Sequence, residues 1–192
     1  MKKMMFKDLY GLTQAVLDGR KTQTRRICKE QHWSFSDLVN ANQNDSFLFE
    51  QPKYRKGEVV AVAQSYKDAG VEFLPEEDEE FGCYNFPAEQ TNGRTNKMFV
   101  RADLMPHRIR ITDVRVERLN DISDEDCIAE GVLHSDKYAM PYGIPDSKAP
   151  NRVDFYYSTP REAYAALIDK ISGRGTWESN PYVFAYTFEL VK

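Results

Sequence analysis

The sequence predicts an α+β fold: a small β-barrel with flanking helices and surface insertions. Three observations carry this. Several short stretches are apolar and β-branched, the clearest being Val59 to Ala63, Arg108 to Leu119 and Tyr182 to Val191. The helical segments are few, and the strands are not joined by regular helical crossovers, which argues against a doubly wound sheet. No GxGxxG or P-loop sequence is present, so a nucleotide-binding α/β fold has no anchor.

Each element follows in turn. Phe6 to Asp18 carries Leu9, Leu12 and Val16 at offsets of three and four, which is one face of a helix, and Gly19 stands where a C′ glycine belongs. Thr22, Gln23 and Thr24 then favour extended backbone. Trp33, Phe35 and Leu38 read as a small apolar cluster, and Asn40 to Asp45 as a polar loop. Lys56-Gly57-Glu58 turns the chain into the strand at Val59. Residues 67–96, with the acidic run Glu76-Glu77-Asp78-Glu79-Glu80, read as a long solvated loop. Lys97 to Ala102 reads as a strand.

In RIRITDVRVERL (108–119) the alternation of Ile109 and Ile111 slips phase at Thr112-Asp113 before Val114 and Val116. A slip of one residue moves side chains to the other face, so a bulge or bend is expected there. Ser123 is a good N-cap over Asp124, Glu125 and Asp126, and the short helix runs to about Glu130, stopped by Gly131. Residues 132–158 show no period and read as an insertion. Thr159 and Pro160 open a second helix with Tyr164, Leu167, Ile168 and Ile171 on its apolar face and Gly173 after it. Tyr182 to Val191 is a closing strand. Residues 1–192 thus read as one domain with insertions near 30–52, 67–96 and 132–158.

The chain has 192 residues, 41% of them hydrophobic and 29% charged, with a formal net charge of −4. A molecule of this charge is not a polyanion binder over its whole surface, so any nucleic-acid contact must be a local patch. Two basic clusters stand out: Arg20, Lys21, Arg25, Arg26 and Lys29, and then Arg101, Arg108 and Arg110. No window approaches the ~18 consecutive apolar residues of a membrane span, and MKKMMFKDLY lacks the apolar core of a signal peptide. No membrane partner is expected. Three scattered cysteines, Cys28, Cys83 and Cys127, fit free thiols in the cytoplasm. Cys28 and His32 have a ligand-like gap, with His107 and His134 elsewhere, but no CxxC or HExxH pairing supports a metal. Neither metal nor cofactor is expected.

The densest motif is GRKTQTRR at residues 19–26, with four cations and two threonines. It resembles the signature of the ASCH family, in which a helix is followed by Gly-x-Lys-Thr-x-Thr-x-Arg entering a strand. Gly19, Lys21, Thr22, Thr24 and Arg26 fit that pattern. Lys56-Gly57-Glu58 with Val59 to Val62, and Leu119-Asn120-Asp121-Ile122 through Ala129-Glu130-Gly131, look like two further family segments in the same order. Longer ASCH-like proteins of phages and prophages share the combination. The resemblance covers about half of the chain and implies a PUA-like barrel. It implies one of two functions. One is an RNA- or modified-nucleotide-binding module. The other is a metal-independent amidohydrolase acting on an acylated nucleobase or nucleoside, such as N4-acetylcytidine. By motif position the Lys, Thr and Glu of the amidohydrolase branch fall on Lys21, Thr24 and Glu130.

The chemistry these residues would perform has physical conditions. A threonine hydroxyl is a poor nucleophile without a base in reach. Lys21 becomes a base only if desolvation or neighbouring cations lower its pKa, and Arg20, Arg25 and Arg26 supply cations. Arg26 is also a candidate contact for an anion or oxyanion. Residues three apart on a straight strand point to opposite faces, so Lys21 and Thr24 meet only across a bend or if Lys21 lies in the turn before the strand. The bland alternative makes Thr22 and Thr24 ordinary strand residues and Lys21 a snorkelling surface lysine. Glu130 is unusual as an anion in the last turn of a helix. It would be the proton shuttle, or simply the ion-pair partner of Arg25, Arg26 or Arg115. Thr22 belongs to the same ligand-binding segment. Tyr66 is a candidate for stacking on a base and Gln64 for reading its edge. Alanine at Lys21, Thr24 or Glu130 is expected to leave folding intact, since little apolar area is lost.

Overall fold

A computed structural model describes residues 1–28, 52–78, 82–145 and 153–191. The expectations for Lys29, His32 and the Trp33 cluster, and for Glu79-Glu80, lie outside the described residues. The elements are β1 (Lys3–Met4), α1 (Leu12–Leu17), β2 (Gln23–Ile27), β3 (Val59–Val62), α2 (Tyr66–Ala69), β4 (Phe73–Asp78) and β5 (Gly82–Pro87). They continue with β6 (Arg108–Arg118), α3 (Asp124–Ala129), β7 (Leu133–His134), β8 (Tyr142–Pro145), β9 (Val153–Tyr157), α4 (Pro160–Ser172), α5 (Thr176–Ser179) and β10 (Tyr182–Val191).

The fold is α+β, as the pattern predicts, but among the described residues no barrel closes. The main sheet is five-stranded, in the order β1-β3-β6-β10-β2. Its edges, β1 and β2, each pair on one side only, and the two-residue β1 offers too short a ladder to close on β2. β1 runs parallel to β3; the remaining pairs are antiparallel. The slip in β6 is real. Asp113 pairs with Thr187 and Ile111 with Phe188, so Thr112 is the extra residue of a bulge.

Other expectations change. The first helix is interrupted: a 3-10 turn at Asp8–Tyr10 gives way at Gly11, in the left-handed region, to α1. Leu9 therefore leaves the apolar face and is exposed. Residues 67–96 are not a loop but α2, the β4–β5 hairpin and two 3-10 turns, with Glu76, Glu77 and Asp78 paired in the hairpin. The acidic run leaves β4 without the apolar alternation that marks a strand. Residues 132–158 hold the three strands of a second sheet, β7-β8-β9, too short to show a period. Lys97 to Ala102 is not a strand: only Val100 of its apolar residues is buried, while Met98 and Phe99 face solvent.

The caps match the sequence. The Ser123 side chain accepts from Asp126 N at the start of α3, and Thr159 with Glu162 forms a capping box on α4. α4 buries Ala163, Tyr164, Leu167 and Ile168 in the same core as Val60, Val62, Ile109, Ile111 and Val183 of the main sheet. No described helix is long and apolar enough to cross a membrane.

Candidate functional site

The GRKTQTRR segment lies where α1 ends and β2 begins. Lys21 precedes the strand, and its backbone N–H donates to the carbonyl of Ala15. Thr24 sits within β2, opposite Tyr186 of β10. The turn before the strand thus meets the geometric condition for bringing Lys21 and Thr24 to one place. The N–H of Thr22 donates to the carbonyl of Ala129, which ties this edge strand to the end of α3.

Lys21 is 2% exposed and Glu130 5%. The ammonium of Lys21 donates to Glu130 Oε2 at 2.7 Å and to the Glu130 carbonyl at 2.6 Å. That pair of bonds explains a carboxylate at a helix C-terminus. Lys21 satisfies an orphan carbonyl of α3 and offsets the charge of the side chain that would otherwise oppose the dipole. Glu130 is also held from the other side, by Arg25 Nη1 at 3.2 Å. Arg25, whose side chain is wholly buried, further pairs with Asp126 at 2.8 Å and Glu117 at 2.7 Å. Gln23 donates to Asp126 at 2.6 Å, and Arg115 reaches the same carboxylate at 3.2 Å.

The electrostatics follow from this burial. Desolvation pushes the Lys21 ammonium below its ordinary pKa; Glu130 pulls it up, and Arg26 and Arg25 push it down again. For Arg25, burial works against the charge, but Glu130 and the Asp126 hydrogen bond more than offset it and raise its pKa. Burial also disfavours the Asp126 carboxylate, and hydrogen bonds from Arg25 and Gln23 still hold it below the usual range. Burial pushes the nearby Cys127 thiol up to about 12, so it stays protonated.

Lys21, Thr24 and Glu130 line one cavity of about 580 Å³, together with Arg25 and Arg26. Among the described residues the Thr24 hydroxyl takes part in no hydrogen bond. Phe6, Leu12, Leu167, Ile168 and Ile171 give the cavity apolar walls, and the exposed Met5, Ile27 and Met98 surround its mouth. Arg26 donates to the carbonyl of Met5 at 2.5 Å and lies over the Phe6 ring.

Other sequence candidates lie elsewhere. Arg20 is exposed and paired with Asp18, and Thr22 serves the backbone; neither lines the cavity. Tyr66 is buried in a second core, its hydroxyl accepting from Arg101 N at 2.9 Å. Gln64 lines a separate cleft with Asp8, Thr13 and Asp68. Both follow β3, which β6 and β10 separate from β2 in the main sheet. Arg101 and Arg110 of the other basic cluster pair with Asp103 and Glu189. Among the described residues no group of three His, Cys, Asp or Glu could hold a metal.

Sequence reasoning missed Asp126 and Tyr164. Asp126 stands four residues before Glu130, the helical spacing that places both on one face, and that signal was available. Tyr164 lines the cavity with its hydroxyl buried and, among the described residues, without a hydrogen-bond partner. Burial, and Glu130 nearby, push its pKa well above the ordinary value. A buried unsatisfied hydroxyl costs about 1–3 kcal/mol. Tyr164→Phe keeps the edge-on contact with Trp177 and should therefore raise the thermal midpoint. A lower midpoint in calorimetry would mean that the hydroxyl is bonded in solution.

No family model matches this chain, and no curated protein does. Among solved structures, it is similar to the crystal structure of protein EF3133 from Enterococcus faecalis V583, family-model DUF984. The two are 14% identical, and the match covers 100% of this chain and 81% of that chain at a TM-score of 0.40. A likeness this slight carries no argument about fold or function.

Proposed function

We propose that this protein is a metal-independent amidohydrolase of an acylated nucleobase or nucleoside, with N4-acetylcytidine as the type of substrate. The observation that carries the reading is the desolvated Lys21 ammonium, 2.7 Å from the Glu130 carboxylate, in the same cavity as Thr24. The resemblance of residues 19–26 to the ASCH signature supports it.

The chemistry balances with these groups alone. Lys21 passes a proton to Glu130, which leaves an amine beside a carboxylic acid. The amine takes the Thr24 proton as Oγ1 attacks the acyl carbon. The Lys21 ammonium formed in that step lies beside the developing oxyanion and offsets its charge. The C–N bond breaks, the leaving nitrogen takes the Glu130 proton, and an acyl ester remains on Thr24. The pair is then again an ammonium and a carboxylate; Lys21 passes its proton to Glu130 once more, the amine takes a proton from water as its oxygen attacks the ester, and Thr24 Oγ1 leaves with the Glu130 proton, releasing the carboxylic acid.

The resting ion pair favours a second reading, in which Lys21 is a fixed cation and the cavity binds a modified nucleotide or RNA without turnover. Incubation of the protein with N4-acetylcytidine, with chromatography for cytidine and acetate, separates the two. Hydrolysis by the wild type that is lost in a folded Thr24→Ala variant is the expected result. Binding without hydrolysis would leave the second reading, and full activity in Thr24→Ala would remove the nucleophile.

A further inference from the structure

The charge of the cavity is at odds with that of the chain. The chain carries −4, yet the lining holds five cations, Lys7, Lys21, Arg25, Arg26 and Lys97, and one carboxylate, Glu130. Those five are not equivalent. Lys21 and Arg25 are spent on Glu130, Asp126 and Glu117 at the floor. Lys97 pairs with Asp8 at 2.7 Å. Among the described residues Arg26 and Lys7 have no carboxylate partner.

Arg26 is also held in place. One nitrogen donates to the Met5 carbonyl and the guanidinium lies over Phe6, 5.9 Å from the ring centroid. A planar fork fixed in this way keeps donors free for a planar or tetrahedral anion and loses little entropy on binding it. Lys7 adjoins Phe6 in the chain, and the Lys97 ammonium reaches the Phe6 carbonyl. The three cations therefore gather around Phe6, at the rim that Met5 and Met98 also line.

We infer that Arg26 and Lys7 bind a phosphate of the ligand, so that the preferred ligand is a nucleoside 5′-monophosphate rather than a free nucleoside. This names the substrate class within the function proposed above: an N-acylated nucleotide, its acyl group at the Lys21–Glu130 floor and its phosphate at the mouth. Leu167, Ile168 and Ile171 offer the intervening apolar wall for the base. A polymer backbone fits less well, because the free cations are confined to one mouth of an acidic molecule.

Titration calorimetry of the full chain with cytidine 5′-monophosphate and with cytidine tests the inference without any turnover. The monophosphate should bind at least about tenfold more tightly at low salt, a factor set by charge-assisted bonds to phosphate. The preference should shrink as salt rises and fall towards one in Arg26→Gln. The exposed Lys7→Gln variant should also reduce it, with no change in thermal midpoint. Inorganic phosphate should compete with the monophosphate. Equal affinity for the two ligands, or no binding of either, overturns the inference. So does tighter binding of a short oligoribonucleotide than of the monophosphate. A second arm compares hydrolysis of N4-acetylcytidine and its 5′-monophosphate. If neither is hydrolysed while the binding preference holds, the phosphate site stands and the amidohydrolase reading fails.

Discussion

Glu130→Ala should cost the fold about 3–5 kcal/mol, the penalty for leaving a buried charge without its partner. This reverses the expectation, drawn from apolar area alone, that folding survives alanine at this position. The carboxylate is 5% exposed and holds two cations, Lys21 and Arg25. Arg25 keeps Asp126 and Glu117 when Glu130 goes, whereas Lys21 loses its one carboxylate and retains only the backbone carbonyl. The deficit should depend on pH with a definite sign. The folded pKa of Lys21 lies below the ordinary lysine value, so the folded state favours the neutral amine. Its stability is fully present above the unfolded pKa and is lost as pH falls through the lowered folded one. The deficit of Glu130→Ala is therefore smallest at high pH and grows towards neutrality. Urea unfolding at several pH values measures it. Lys21→Met in the same chain should restore most of the loss, because the orphaned charge is gone; a double-mutant cycle gives the coupling. An unchanged urea midpoint in Glu130→Ala would mean that the pair is solvated.

Lys21→Arg should lose turnover by about 10²–10⁴-fold, the range that general acid–base catalysis supplies. The guanidinium still pairs with Glu130, so the variant should fold, but it cannot give up its proton near neutral pH. In the wild type, kcat should fall as pH rises through the lowered lysine pKa, since the active form holds one proton on the Lys21–Glu130 pair and that proton is what the leaving nitrogen receives. Lys21→Arg should show no such fall in its residual rate. A pH–rate profile for both proteins against N4-acetylcytidine is the measurement. A wild-type profile that is flat, or activity in Lys21→Arg within a few fold of wild type, would exclude lysine as the base.

Much of this geometry was legible in the sequence because local chemistry agreed with the global arrangement. Ser123, Thr159 and Pro160 mark helix starts by what their side chains do to orphan N–H groups, and the structure uses them so. The phase slip at Thr112 is a count of residues on a face, and counts survive folding. Lys21 and Glu130, 109 residues apart, could be linked only through the family signature, since nothing local requires them to meet. What stayed illegible depends on packing at a distance. Tyr66 and Gln64 are good ligand residues by type, but Tyr66 buries its ring against Gly93 and neither lines the cavity of Lys21. Arg25 is expected from the sequence both as a cation near Lys21 and as a candidate partner of Glu130, and it does pair with Glu130. Its buried place among three carboxylates depends on β6 and α3, which its neighbours in sequence do not reveal.

The strand order has a consequence for the order of events in folding. β2, which carries Thr24 and Arg25, is an edge strand whose ladder is made with β10 alone. β10 is the last of the described strands, and it must slot between β6 and β2, completing both ladders at once. A chain emerging from the ribosome N-terminus first exposes the basic segment before its template β10 is made. Closing so long a loop is slow and entropically costly. Until it closes, the basic segment has no strand to pair with, and the cavity matures only with β10.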